Sequence, residues 1–77
     1  MADSKLTPRE WTRPLTPREI RVLELLADGY DYGAIGSLLF VQTETVKKMM
    51  AYRILPKLGA DNKTQAVAMA LRRGLIQ

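Results

Sequence analysis

The sequence predicts an all-α domain of four short helices. Three observations carry this. Helix-capping residues stand just ahead of apolar residues repeating at helical spacing. A glycine follows each of three such runs. No stretch alternates apolar and polar residues as a half-buried strand does. With 77 residues the chain is one domain at most. We divide it into an N-terminal extension, 1–14, and a helical domain, 15–77.

The first helix is expected over 17–28. Thr16 suits the N-cap and Glu19 lies three residues on, forming a capping box. Pro17 occupies the first helical position, where its missing N–H costs nothing. Leu15 and Ile20 are spaced as a hydrophobic staple. Ile20, Val22, Leu23, Leu25, Leu26 and Ala27 carry the core face, and Gly29 supplies the left-handed stop.

Asp31 caps a second helix, near 32–39, with Ile35, Leu38 and Leu39 at helical spacing. Gly33 and Gly36 each weaken it by ~1 kcal/mol relative to alanine. Gly36 is the position that would let the next helix cross closely. Phe40-Val41-Gln42 is a short turn whose apolar residues should face the core. Thr43 is expected to cap a third helix running to Leu58, where Gly59 ends it. After the polar loop Asp61-Asn62-Lys63, Thr64 should cap a fourth helix over 64–73, ended by Gly74. Arg72 and Arg73 sit in its last turn, where cations oppose the helix dipole. Short links between the second and third helices give a helix-turn-helix arrangement.

The third helix has a register problem. Val46 and Leu58 are 12 residues apart. At 100° per residue they lie about 120° out of line. One residue fewer would leave about 20°, so the offset has to be absorbed within the helix if both residues face the core. A single π-type turn does this. Pro56 strengthens the expectation, because it has no N–H for the Tyr52 carbonyl. We therefore expect a bulge or kink between Ala51 and Pro56. It leaves Tyr52 open between a phosphate contact and the core edge.

Composition narrows function. Cys and His are both absent, which removes disulfides, thiolate metal sites and the commonest general base. With no nucleotide loop and few carboxylates, no catalytic constellation is available, so an enzyme is set aside and no cofactor is expected. No apolar run reaches the ~20 residues that span a bilayer, and the N-terminus lacks an apolar signal region. A soluble cytoplasmic protein with no membrane partner is the expectation. Charge is uneven. Residues 1–42 hold five basic and six acidic side chains, a net of −1, and residues 43–77 hold seven and two, a net of +5. A concentrated basic half points to a polyanion, nucleic acid first, against the plainer reading of a solvated face.

Leu15-Thr16-Pro17-Arg18-Glu19-Ile20-Arg21-Val22-Leu23, then Ile35-Gly36-Ser37-Leu38-Leu39, Thr45-Val46-Lys47, Lys57-Leu58-Gly59, and Ala66-Val67 form an ordered set of motifs. The set resembles the LuxR/GerE-type helix-turn-helix domain across residues 15–76. The resemblance implies a four-helix DNA-binding domain of bacterial or phage origin, working on the nucleoid. The third helix would enter the major groove and the fourth would often dimerise. Relatives usually carry the domain at the end of a longer receiver or ligand-binding protein. At this length the chain resembles the small stand-alone members.

The matching contact positions are Lys47, Lys48 and Ala51. Lysine can donate to guanine O6 and N7, whereas alanine only touches a thymine methyl. Thr43, Glu44 and Thr45 stand at the helix start, near phosphate, and Lys63 completes the expected DNA-binding set. Three departures from the family matter. Between Thr45-Val46-Lys47 and Lys57-Leu58-Gly59 the chain has one residue more than is usual, falling somewhere from Ala51 to Arg53. Met49 stands where a histidine is usual, and Ala51 where several relatives carry a polar or basic reader. Both shift readout toward A·T contacts or DNA shape, or weaken binding. On the fourth helix, Ala66, Val67, Met69 and Ala70 form a small-residue face suited to a homodimer interface, which would set two recognition helices on a palindromic site.

The extension repeats the first capping motif: Leu6-Thr7-Pro8-Arg9-Glu10-Trp11 matches Leu15 to Ile20 nine residues later. Pro14 stops any helix there, and one isolated turn is unstable. Trp11 either packs on the domain or marks a partner surface; a third reading makes Arg9 and Arg13 a flexible arm that reaches phosphates. The rival function is a protein-interaction module binding another regulator or RNA polymerase through Trp11 and the fourth helix.

Overall fold

A computed structural model describes residues 14–77. The repeat at 6–11, with Trp11, and Arg9 and Arg13 lie outside the described residues. Those described form four helices and no strand: α1 Pro17–Ala27, α2 Tyr32–Leu39, a composite α3, and α4 Lys63–Arg72. None of the helices is long and apolar enough to cross a membrane, among the described residues.

α1 begins as its sequence directs. The Glu19 amide donates to Thr16 Oγ1 at 3.1 Å and the Thr16 amide donates to Glu19 Oε1 at 2.9 Å, closing the capping box. Val22, Leu23 and Leu25 are buried, Leu15, Ile20 and Leu26 pack against them, and Ala27 faces solvent instead of the core. Gly29 takes φ +97°, the left-handed stop. Asp31 caps α2 by accepting from the Ala34 amide at 2.8 Å.

The turn between α2 and α3 differs from expectation in one side chain. Val41 packs against the core, but Phe40 is 94% exposed. To reverse the chain, the Val41 amide donates back to the Gly36 carbonyl at 2.9 Å, and Phe40 adopts a left-handed φ of +61°. That conformation swings its ring outward and costs an L-residue about 1–2 kcal/mol. Gly36 makes the crossing possible. A Cβ built there would lie 2.7 Å from the Val41 carbonyl oxygen and 3.3 Å from the Thr43 nitrogen.

α3 runs as an α-helix over Thr43–Met49, a π segment over Met50–Ile54 and a final α turn over Leu55–Leu58. Thr43 is not its cap. Gln42 holds the extended N-cap position with no side-chain bond, because the tight Gly36 crossing sets the helix start one residue earlier. The Leu55 amide donates to the Met50 carbonyl, five residues back. This wide turn absorbs the extra residue. Val46, Met50, Ile54 and Leu58 recur every fourth position and are 0–4% exposed, so one face stays inward for the whole helix. A regular register would also aim the Tyr52 carbonyl at Pro56, which has nothing to donate. Gly59 ends α3 at φ +73°.

α4 is capped by Asn62 rather than Thr64. Asn62 accepts from the Gln65 amide at 2.8 Å, while the Gln65 side chain accepts from the Asp61 amide. The two side chains thus satisfy amides at the helix start from both directions, and the cap stands two residues earlier than expected. Ala66 and Ala70 are fully buried in the core, and Ile76 folds back onto it.

Candidate nucleic-acid interface

α3 carries its charges on the side opposite Val46 and Met50. Thr43, Glu44, Thr45, Lys47, Lys48 and Ala51 are all exposed. Lys47 and Glu44 approach only to 4.0 Å, with more than half of each side chain in solvent. Such a pair contributes little, so the Lys47 ammonium stays available to another anion. Met49 is half-buried against the core and lines the flank of α3 rather than its outer face.

That flank forms one wall of a shallow groove. Its lining from α3 is Thr45, Lys48, Met49, Tyr52 and Arg53, and its opposite wall is the start of α1 with Arg18. Arg18 and Arg53 were not among the sequence-predicted contacts. The chain brings Arg18 to Lys48 only through the packing of α1 against α3, across 30 residues. Arg53 joins them because the π segment leaves Ala51, Tyr52 and Arg53 all exposed in succession.

A buried ion pair fixes this wall. Lys57 Nζ lies 2.8 Å from Glu19 Oε1, with side chains 9% and 7% exposed. Lys57 also donates to the Pro14 carbonyl at 3.4 Å. The last turn of α3 is thereby tied to the first turn of α1. Lys57 is thus structural, although it counted toward the basic half of the sequence.

Lys63 stands apart from this group. Its ammonium lies 4.9 Å from the centre of the Tyr32 ring, and it borders Leu26 and Ala27 at the far end of α1. From Arg18 to Ala27 the helix rises about 14 Å. Burial pushes the Tyr32 phenol above its ordinary pKa.

On α4 the predicted dimer face divides. Ala66 and Ala70 belong to the domain's own core and have no surface to offer a second copy. At 100° per residue, Val67 and Met69 flank this buried pair on either side, each about 80° away; both are half-buried, and Val67 packs against the core. Ala68 and Leu71 point away from it. Arg73 closes the inner side by donating to the Leu58 carbonyl at 3.2 Å.

The pattern of the family described as bacterial regulatory proteins, luxR family, matches residues 13–70. Similar proteins include the transcriptional regulatory protein YxjL of Bacillus subtilis, 43% identical over 68 residues, which cover 88% of this chain and 31% of that protein. The transcriptional regulatory protein DegU of Brevibacillus brevis is 37% identical over 71 residues, covering 88% and 30%. The response regulator VraR of Staphylococcus aureus is 41% identical over 63 residues, covering 82% and 30%. The chain thus spans about a third of the length of these relatives. No solved structure gives a significant match.

Proposed function

The chain belongs to the luxR family of bacterial regulatory proteins, and from that premise we propose that it regulates transcription by laying α3 in the major groove of duplex DNA. The single observation that carries this is the exposed face of α3, where Lys47, Lys48 and Ala51 project from a helix whose other side is locked into the core. Lys47 and Lys48 reach guanine edges or phosphates, and Ala51 admits a thymine methyl. Thr43 and Thr45 offer hydroxyls to the backbone beside them, and Glu44 stands between them at the helix start. Lys63 adds a phosphate contact from the start of α4.

The protein acts as a homodimer. Val67 and Met69, half-buried at the two edges of α4's inner face, and Leu71, 46% exposed, supply the surface for a second copy. A two-fold pair sets two α3 helices about one DNA turn apart.

Selection of bound sequences from random duplex DNA tests both statements. The expected outcome is an enriched motif of two inverted half-sites about 10 base pairs apart, with enrichment abolished in the double variant Lys47→Gln, Lys48→Gln. A single half-site would overturn the dimer alone. No enrichment of any sequence would overturn sequence-specific recognition.

A further inference from the structure

The π segment in α3 does more than restore register. In a straight α-helix, residues four apart drift by about 40° per step, and Val46, Met50, Ile54 and Leu58 could not all face inward. The wide turn keeps them buried, and its effect on the opposite side is to display three successive residues. Tyr52 is 70% exposed, an aromatic ring held in solvent beside cations. π turns of this kind are found mostly at functional positions.

The groove these residues line has an unanswered charge. Arg18, Lys48 and Arg53 converge on it, and none has a carboxylate within 4.0 Å among the described residues. The carboxylate in the lining, Glu19, is 5% exposed and already paired with Lys57. Three like charges lining one groove with no free counter-charge among the described residues repel one another, and a bound anion relieves the repulsion. Met49 and the Tyr52 ring give the groove an apolar side as well, which a free inorganic anion does not use. A phosphodiester flanked by deoxyribose uses both. Lys48 belongs to this groove and to the outer face of α3, so the two surfaces are continuous.

We propose that the π turn builds a backbone clamp, in which Arg53, Tyr52 and Arg18 grip one phosphate of the DNA strand bordering the major groove that α3 occupies. This rests on the DNA-binding reading above and assigns to it a contact made by the inserted residue. The arginines supply charge. The Tyr52 hydroxyl donates one hydrogen bond, and its ring packs on the adjacent sugar.

The test is the salt dependence of binding of the full chain to a mixed-sequence 30-base-pair duplex, followed by fluorescence anisotropy. Each neutralised phosphate contributes about 0.9 to the slope of log K against log salt. Arg53→Gln is expected to bind roughly fivefold more weakly at low salt and to lower the slope by about 0.9. Tyr52→Phe is expected to weaken binding about twofold with the slope unchanged, since the hydroxyl carries no charge. Arg53→Lys should keep the slope. Arg21, paired with Glu24 at 3.1 Å beside the C-terminus, is the control, and Arg21→Gln should match the unaltered chain. An unchanged slope in Arg53→Gln overturns the clamp and leaves DNA binding standing. An equal fall in Arg21→Gln also overturns it, because net charge alone would then account for the effect. Failure of the unaltered chain to bind at low salt overturns the reading beneath it, and the clamp with it.

Discussion

Glu19→Ala is expected to unfold much of the population at room temperature. Glu19 accepts from the Thr16 amide and holds Lys57 at 2.8 Å in a site where both side chains are under 10% exposed. Removing it leaves a buried ammonium whose remaining partner among the described residues is the Pro14 carbonyl at 3.4 Å. Breaking one partner of a buried pair costs about 3–5 kcal/mol. A domain this small sits near the lower end of the usual ~5–15 kcal/mol. Urea denaturation followed by circular dichroism measures the loss. The pair itself is worth far less than its breakage suggests, because both charges must be desolvated. The double variant Glu19→Gln, Lys57→Met should therefore recover most of the stability. If Glu19→Ala lowers stability by under 1 kcal/mol, roughly the worth of an exposed pair, the pair does not tie α1 to α3.

Gly36→Ala is the second large effect, and two terms of opposite sign decide it. Alanine favours the helix over glycine by about 1 kcal/mol. The new Cβ, however, would stand 2.7 Å from the Val41 carbonyl oxygen and 3.3 Å from the Gln42 carbonyl carbon, both backbone atoms that cannot rotate away. Overpacking of this kind costs about 1–3 kcal/mol or more, so the variant should be less stable by about 1–2 kcal/mol and hold α3 at an altered angle. Gly33→Ala is the counterpart. Its nearest neighbours are side-chain oxygens of Asp31 and Thr43 at 3.5 and 3.7 Å, an ordinary contact, so helix propensity wins and stability should rise by about 0.5–1 kcal/mol. A Gly36→Ala chain as stable as the parent would mean that α2 and α3 do not cross this closely.

What could be read from the chain followed from how local each determinant is. The Thr16–Glu19 box, the Asp31 cap and the Gly29, Gly59 and Gly74 stops act within a few residues, and each is found where its pattern stands. A bulge or kink between Ala51 and Pro56 was legible from the 120° offset of Val46 and Leu58, from Pro56 and from the extra residue against the resembling family, and the π segment Met50–Ile54 is the form it takes. The turn before α3 was less legible. Whether Phe40 or Val41 faces inward depends on the left-handed reversal forced by the Gly36 crossing, which no spacing rule specifies. The start of α4 was there to be read in Asn62 and Gln65, but Thr64 is an equally good capping residue by type.

The site divides in the same way. Lys47, Lys48 and Ala51 share one helical face and could be placed together from spacing alone. Arg18 meets Lys48 only through tertiary packing, and the Lys57–Glu19 pair joins residues 38 apart. Small residues on α4 were ambiguous in principle, because a close-packed face serves an internal core as well as a dimer. Ala66 and Ala70 went to the core.

The most direct test of α3 as the DNA-contacting element is a titration of the nitrogen-15-labelled chain with duplex DNA, followed by amide chemical shifts. The account predicts the largest changes at Thr43, Thr45, Lys47, Lys48 and Ala51, continuing to Tyr52, Arg53 and Arg18, with Asp28 and Gly74 unmoved. Changes confined to α4, with the α3 amides unmoved, would contradict it.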